Sequence, residues 1–438
     1  MGVNRPQYLN QLIGKMHNGM VKVVTGLRRS GKSYLLFNIF KDYLLSNGTE
    51  ENQVIEIILD DDEFASLRNP LKLGEYIRNR VQDSSKNYFI LIDEIQYCKA
   101  VKNPDLPDDE ITFYNVLNGI LRRKNCDLYV TGSNSKMLSS DILTEFRGRG
   151  DQIHVYPLTF REYYDYAKDR IDFDEAFSEY ATYGGLPYAV LLKTDKEKSA
   201  YLKNLFEEVY LKDILQRNKI RNEEGLSDLL SVLASSVGSF TNPTKIENTF
   251  KSKGEIVYTS KTILNHLNIF ADSFLISQAK RYDIKGRKYI GANSKYYFSD
   301  VGLRNAFLNF RQMEVTHITE NIIYNELVSR GYNVDVGIVE INEKDKANKS
   351  KRLQLEVDFV ASMGNKKFYI QSAYSMPSAE KRNQEKRSFK NIDDSFTRVI
   401  ITRETAKAHY DDDGVYEVPL KDFLLCEDCL IQSPRIHL

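Results

Sequence analysis

Residues 21–33 constrain the fold of this chain more than any other stretch. Val21-Lys-Val-Val-Thr25 is a β-branched run, Tyr34-Leu-Leu-Phe-Asn-Ile-Phe40 has helical spacing, and between them lies Gly26-Leu-Arg-Arg-Ser-Gly31-Lys32-Ser33. A strand that becomes a helix through two glycines curls its backbone, so that successive N–H groups and the positive end of the helix dipole face one point. Such a point attracts a phosphate. Lys32 adds a cation toward the β- and γ-phosphates, and the Ser33 hydroxyl is placed to ligate Mg²⁺. The pattern predicts a P-loop in a parallel α/β sheet, with Gly26, Arg28, Arg29, Ser30, Gly31, Lys32, Ser33 and Tyr34 around ATP and Mg²⁺.

A second segment, Tyr88-Phe-Ile-Leu-Ile-Asp93-Glu94, is apolar without polar alternation, as a strand buried on both faces of a parallel sheet must be. Asp93 at its carboxyl end is expected to hold the metal through water, and Glu94 to polarise the water that attacks the γ-phosphorus. A third strand, Asp127-Leu-Tyr-Val-Thr131, leads into Gly132-Ser133-Asn134-Ser135. There Ser133 and Asn134 are candidates to sense the γ-phosphate from between the other two elements, against the plainer reading of a turn. Phe146-Arg147-Gly-Arg149 precedes a further strand, Gln152-Ile-His-Val-Tyr156. An arginine there can act as a finger on a γ-phosphate, in its own or a neighbouring subunit, or can be a solvated basic loop.

At 438 residues the chain is too long for one ordinary core. Lys plus Arg number 61 and Asp plus Glu 61, so no overall field drives it onto nucleic acid or a membrane, and any such binding is local. No run of about 18 apolar residues is found, and Met1 to Lys15 lacks the order of a secretory signal, so a cytoplasmic location without membrane contact is expected. Cys98, Cys126, Cys426 and Cys429 are too few for a disulfide framework. Cys426-Glu-Asp-Cys429 has half the spacing of a zinc site but only His437 beside it, and structural thiols are the expectation.

The phosphate loop, Ile92-Asp-Glu-Ile-Gln96, Thr131-Gly-Ser-Asn-Ser135, Arg149 eight residues before Pro157, Pro157-Leu-Thr-Phe160 and Gly184-Gly-Leu-Pro187 together resemble the prokaryotic AAA-superfamily ATPases that carry a conserved C-terminal region. The resemblance runs over nearly the whole chain. It implies an AAA-type core with the phosphate loop at 26–33, a metal-and-water pair at Asp93 and Glu94, a sensor strand ending near Asn134, and Arg149 in the family's arginine position.

Beyond this core, residues 160–222 are rich in Glu, Lys, Tyr and Leu at helical spacing, interrupted at Gly184-Gly185-Leu-Pro187, which suits a helical lid. Three helices then precede a hairpin. They are Leu226–Val237, a second opened by Asn242 and Pro243, and a third opened by Thr259, and the strands are Phe274–Arg281 and Lys288–Ile290 with Lys295–Phe298. That order is a winged helix. Lys280, Arg281, Lys285, Arg287 and Lys288 face a single Asp283, an excess able to neutralise phosphates, while Ser260, Lys261 and Asn265 are placed to meet bases. The same module serves elsewhere for protein docking.

The tail holds Asn325-Glu326 on a helix, Leu355-Glu356-Val-Asp358 on a strand and Lys367-Phe-Tyr-Ile-Gln371-Ser-Ala373 on the next. This layout resembles restriction-endonuclease-like sites, with Glu326, Asp358 and Gln371 either holding a metal or serving as surface polar groups. Ala373 stands where that fold needs a lysine to stabilise the attacking hydroxide, so a nuclease fold without nuclease activity is expected. The basic run Lys381–Lys390 reads as a solvated helix face. The expected domains are an ATPase core at 1–159, a helical lid at 160–224, a winged helix at 225–312 and an α/β nuclease-like domain at 313–438. The expected function is an ATP-hydrolysing switch or motor on DNA, with a homo-oligomer or a protein partner as further possible contacts; the alternative is an ATP-gated protein-interaction scaffold without DNA binding.

Overall fold

The computed structural model describes residues 2–106, 108–132, 145–146, 148–220, 222–252, 258–344 and 350–431. It falls into two compact units, residues 1–157 with 272–274, and residues 158–271 with 275–438.

The described residues of the first unit form a five-stranded parallel sheet of β1 (Val21–Thr25), β2 (Val54–Ile58), β3 (Tyr88–Asp93), β6 (Cys126–Thr131) and β7 (Gly150–His154), in the order β2-β3-β6-β1-β7. A short ribbon of β4 (Val101–Lys102) and β5 (Glu110–Ile111) stands apart from it. Both faces of the sheet are covered, which is why its strands read as unbroken apolar runs. Val23, Ile57, Ile92 and Val130 on one face pack with Leu73 and Ile77 of the helix Pro70–Arg80 and with Leu117 and Ile120 of the helix Phe113–Ile120. Val24, Phe89, Leu91 and Tyr129 on the other face meet Tyr8 and Leu12 of the helix Pro6–Gly14 and Leu35, Leu36 and Phe40 after the loop. Two faces of such side chains are the main source of stability here, at about 25 cal/mol for each Å² of apolar surface withdrawn from water.

Strand β6 lies between β1 and β3, as the reading of a sensing strand between the other two elements requires. Its parallel register pairs Val130 with both Val23 and Ile92, so that the next residues, Thr131 and Asp93, end side by side at the carboxyl edge.

The second unit opens with helices, among them Phe160–Ala167, Phe173–Tyr183 and Asp195–Asn204. The helices Glu223–Ser235, Pro243–Ser252 and Ser260–Asp272 follow, with Asn242 accepting from Lys245 N at 3.1 Å and Thr259 from Thr262 N at 3.2 Å, the two expected caps. A nine-stranded mixed sheet joins β8 (Phe240–Thr241), β9 (Ile276–Asp283), β10 (Lys288–Phe298), β11 (Asn333–Lys344), β12 (Ser350–Met363), β13 (Lys366–Ser372), β14 (Thr397–Thr402), β15 (His409–Tyr410) and β16 (Tyr416–Pro419) among the described residues. The hairpin expected as a wing is continuous with the tail, because β9 pairs in parallel with β11 from Arg281–Val336 to Asp283–Ile338.

The Gly184-Gly185 break is held by a buried carboxylate. Asp300 accepts from Gly185 N at 2.7 Å and from Leu303 N at 2.9 Å, and burial lifts its pKa to about 6. Asn305 adds bonds to Ala181 O and Thr182 O, so the expected lid is tied to residues 300–305. Among the described residues no helix is long and apolar enough to cross a membrane.

Candidate functional site

The phosphate loop follows β1 and enters a helix that is π-wound over Leu35–Phe40. Its two glycines are required for different reasons. A Cβ at Gly26 would stand 2.1 Å from Val155 O, and Gly31 has φ of 94°, where side chains are disfavoured. Arg29 also takes a positive φ and is exposed, while Arg28 is half-buried. Lys32 is buried and folds back over the loop, donating to Gly26 O at 3.0 Å and to Leu27 O at 2.9 Å. Tyr34 is exposed, with its ring against Gly2.

Asp93 is buried at the end of β3 and bonded to the Ser33 hydroxyl. Burial raises its pKa, against the hydrogen bonds from Thr131 and Ser33. Glu94 follows with φ of 51°, a strained backbone for a residue with a side chain, and its N–H donates to Thr131 Oγ1 at 2.9 Å. Burial raises the Glu94 pKa too, and the charge of Lys32 is the largest influence opposing that rise. The Thr131 hydroxyl itself donates to Asp93 Oδ1, so one side chain joins both acids. Gln96 Nε2 donates to the Glu94 carboxylate.

Neither Thr131 nor Gln96 was among the residues expected from the sequence. Thr131 carried a usable signal: a hydroxyl closing the apolar strand that borders the acidic one. Gln96 carried none, since only the turn Ile95–Tyr97 brings its amide back to Glu94.

The residues present fit a magnesium triphosphate. Ser33 Oγ and Asp93 are hard oxygen donors already in contact, and Lys32 supplies a cation beside them. Ser30 Oγ is buried in the loop without a hydrogen-bond partner among the described residues, as a group reserved for a ligand would be. At the base of the loop Thr25 Oγ1 lies 3.0 Å from His154 Nδ1, and enclosure together with Lys32 lowers the His154 pKa to about 4.

Arg149 is not brought to this site. It precedes β7, with its carbonyl accepting from Val21 N, at the amino edge of the sheet, whereas the loop follows the carboxyl edge of β1. Five strand residues separate the two edges by roughly 16 Å. Ser133, Asn134 and Arg147 lie outside the described residues.

In the second unit, Lys261 and Asn265 project from the helix Ser260–Asp272 and are exposed, as are Arg287 and Lys288 at the turn of the hairpin. The tail departs from its expected layout. Glu326 is buried against Arg330, with Oε1 accepting at 2.7 Å, and does not face Asp358. The helix Val315–Ser329 turns Glu320 toward the strands instead, because six residues carry the chain to another face. Lys295 of β10 bonds Glu320 at 2.9 Å and Glu356 at 2.6 Å. Asp358 accepts from Ser372 N at 2.8 Å, and its pKa is raised well above the carboxylate range by burial and then by Glu320. Gln371 Oε1 accepts from Asp358 N, and Ala373 is a buried core residue.

A five-stranded parallel sheet with a glycine loop after its fourth-ranked strand and an acidic pair two strands away defines a P-loop nucleotide-binding protein. Residues 18–164 belong to the AAA superfamily of P-loop ATPases, since the family model described as an AAA domain matches them, and one described as a domain of unknown function matches residues 174–314. It is 30% identical over 431 residues to an uncharacterized protein of Haemophilus influenzae, covering 97% of this chain and 98% of that one. An uncharacterized protein of Methanocaldococcus jannaschii is 28% identical over 426 residues, covering 93% and 86%. Among solved structures, AMPPCP-bound DnaA from Aquifex aeolicus is 14% identical over 61% of this chain and 87% of that one, with a TM-score of 0.31, too slight a likeness to carry an argument.

Proposed function

We propose that this protein binds ATP with Mg²⁺ at the Gly26–Ser33 loop and hydrolyses it, and that the cycle alters how its second unit holds DNA. One observation carries the first part: Ser33, Asp93, Thr131 and Glu94 form a single hydrogen-bonded set beside Lys32, at the carboxyl edge of the sheet. In that set Lys32 and the loop N–H groups would hold the phosphates, and Ser33 and Asp93 the metal. Bound Mg²⁺ supplies neutralisation of the triphosphate charge. Glu94 orients a water and accepts its proton, a role suited to a carboxylate whose pKa burial has raised.

Two substitutions test it. Lys32→Ala is expected to abolish nucleotide binding, and Glu94→Gln to preserve binding while stopping turnover. Turnover by Glu94→Gln at the parent rate would remove Glu94 from the mechanism.

The DNA part rests on the exposed Lys261, Asn265, Arg287 and Lys288. Phosphate contacts make log affinity fall with log salt, so titration of duplex DNA at several salt concentrations separates DNA binding from a protein-docking role. A second copy of the chain enters as the holder of Arg149, which is too far from its own loop to serve it.

A further inference from the structure

We propose that Gln96 is the positioning residue that sets the orientation of the Glu94 carboxylate during ATP hydrolysis. This rests on the reading of Glu94 as the group that activates water. Three restraints converge on that residue. Its backbone is fixed at a positive φ, its N–H is tied to Thr131, and its carboxylate receives the Gln96 amide N–H. The first two place the Cα and leave the side chain to rotate; the third acts on the reacting group itself. Gln96 is half-buried, and its other amide atom faces Gly132, where a built Cβ would stand 3.4 Å from Oε1. The side chain therefore spans from the carboxylate to the backbone at the end of β6, where the segment expected to sense the γ-phosphate begins.

In hydrolysis the water oxygen bonds to the γ-phosphorus, the bond from that phosphorus to the β,γ-bridging oxygen breaks, and one water proton passes to Glu94. That proton is accepted only by an ionised carboxylate in the right rotamer. The amide N–H that Gln96 donates to the carboxylate selects that rotamer.

Gln96→Met keeps the length of the side chain and removes the donor. Gln96→Asn keeps an amide and withdraws it by one methylene. In the full chain both are expected to lower kcat for MgATP about tenfold and to leave KM unchanged. A merely structural glutamine would not lower kcat while sparing KM in a folded variant. Parent kcat in either folded variant overturns the proposal, as does a loss confined to KM. Glu94→Gln separates the two readings. If it turns over ATP normally, the assignment of Glu94 fails; if it is inactive while Gln96→Met is normal, only the role of Gln96 fails.

Discussion

The Thr131 hydroxyl donates to the Asp93 carboxylate and, through the same oxygen, accepts the backbone N–H of Glu94. A residue of strand β6 thus fixes the two acidic residues that end β3. Thr131→Val preserves shape and removes both bonds. Each buried polar group left unmatched costs about 1–3 kcal/mol. Turnover of ATP is expected to fall at least tenfold, read together with the urea midpoint of the variant; parent turnover would show that the acids need no such bridge.

Arg149 and Lys32 stand at opposite edges of one sheet, so the proposed finger role of Arg149 is one played on a second copy. Arg149→Ala is expected to lower turnover roughly a thousandfold, within the range known for such fingers. Mixing Arg149→Ala with Lys32→Ala should restore part of the activity, since mixed pairs join an intact loop to an intact arginine. A mixture as inactive as its components contradicts action between copies.

His154 is held neutral, with a pKa of about 4, against the ordinary value near 6.5 in the unfolded chain. Between those values the unfolded state binds the extra proton, so stability is fully present above pH 6.5 and is lost as pH falls toward 4. The loss is on the order of 3 kcal/mol. Urea unfolding followed from pH 7.5 to 5 should show this decline, and His154→Gln should flatten it.

Lys295 lies among Glu320, Glu356 and Asp358, whose charges overcome the effect of burial and raise its pKa. Lys295→Met removes the cation from that group and is expected to destabilise the chain by about 3 kcal/mol in urea unfolding. With an ammonium in place among the carboxylates and alanine at 373, the full chain should leave plasmid intact in Mg²⁺ or Mn²⁺. Cleavage that Asp358→Ala abolishes would contradict this.

The first unit was legible because its chemistry is written locally. Strand, loop and helix are contiguous at 21–40, and Asp93-Glu94 closes a run that only a doubly covered strand would show. The hairpin and the caps at Asn242 and Thr259 were legible for the same reason. What escaped were relationships between segments. Helical spacing admits either Glu320 or Glu326 as the inward acid, and only packing on β10 decides it. The parallel pairing of β9 with β11 joins residues about 55 apart, across the hairpin turn and two helices, and no local pattern marks it, so the expected boundary at 312 falls within one continuous sheet.

Calorimetric titration of ATP with Mg²⁺ into the full chain tests the central claim most directly. One site per chain is expected, retained in Glu94→Gln and lost in Lys32→Ala. Absence of heat and affinity in the parent protein would contradict a nucleotide site at the Gly26–Ser33 loop.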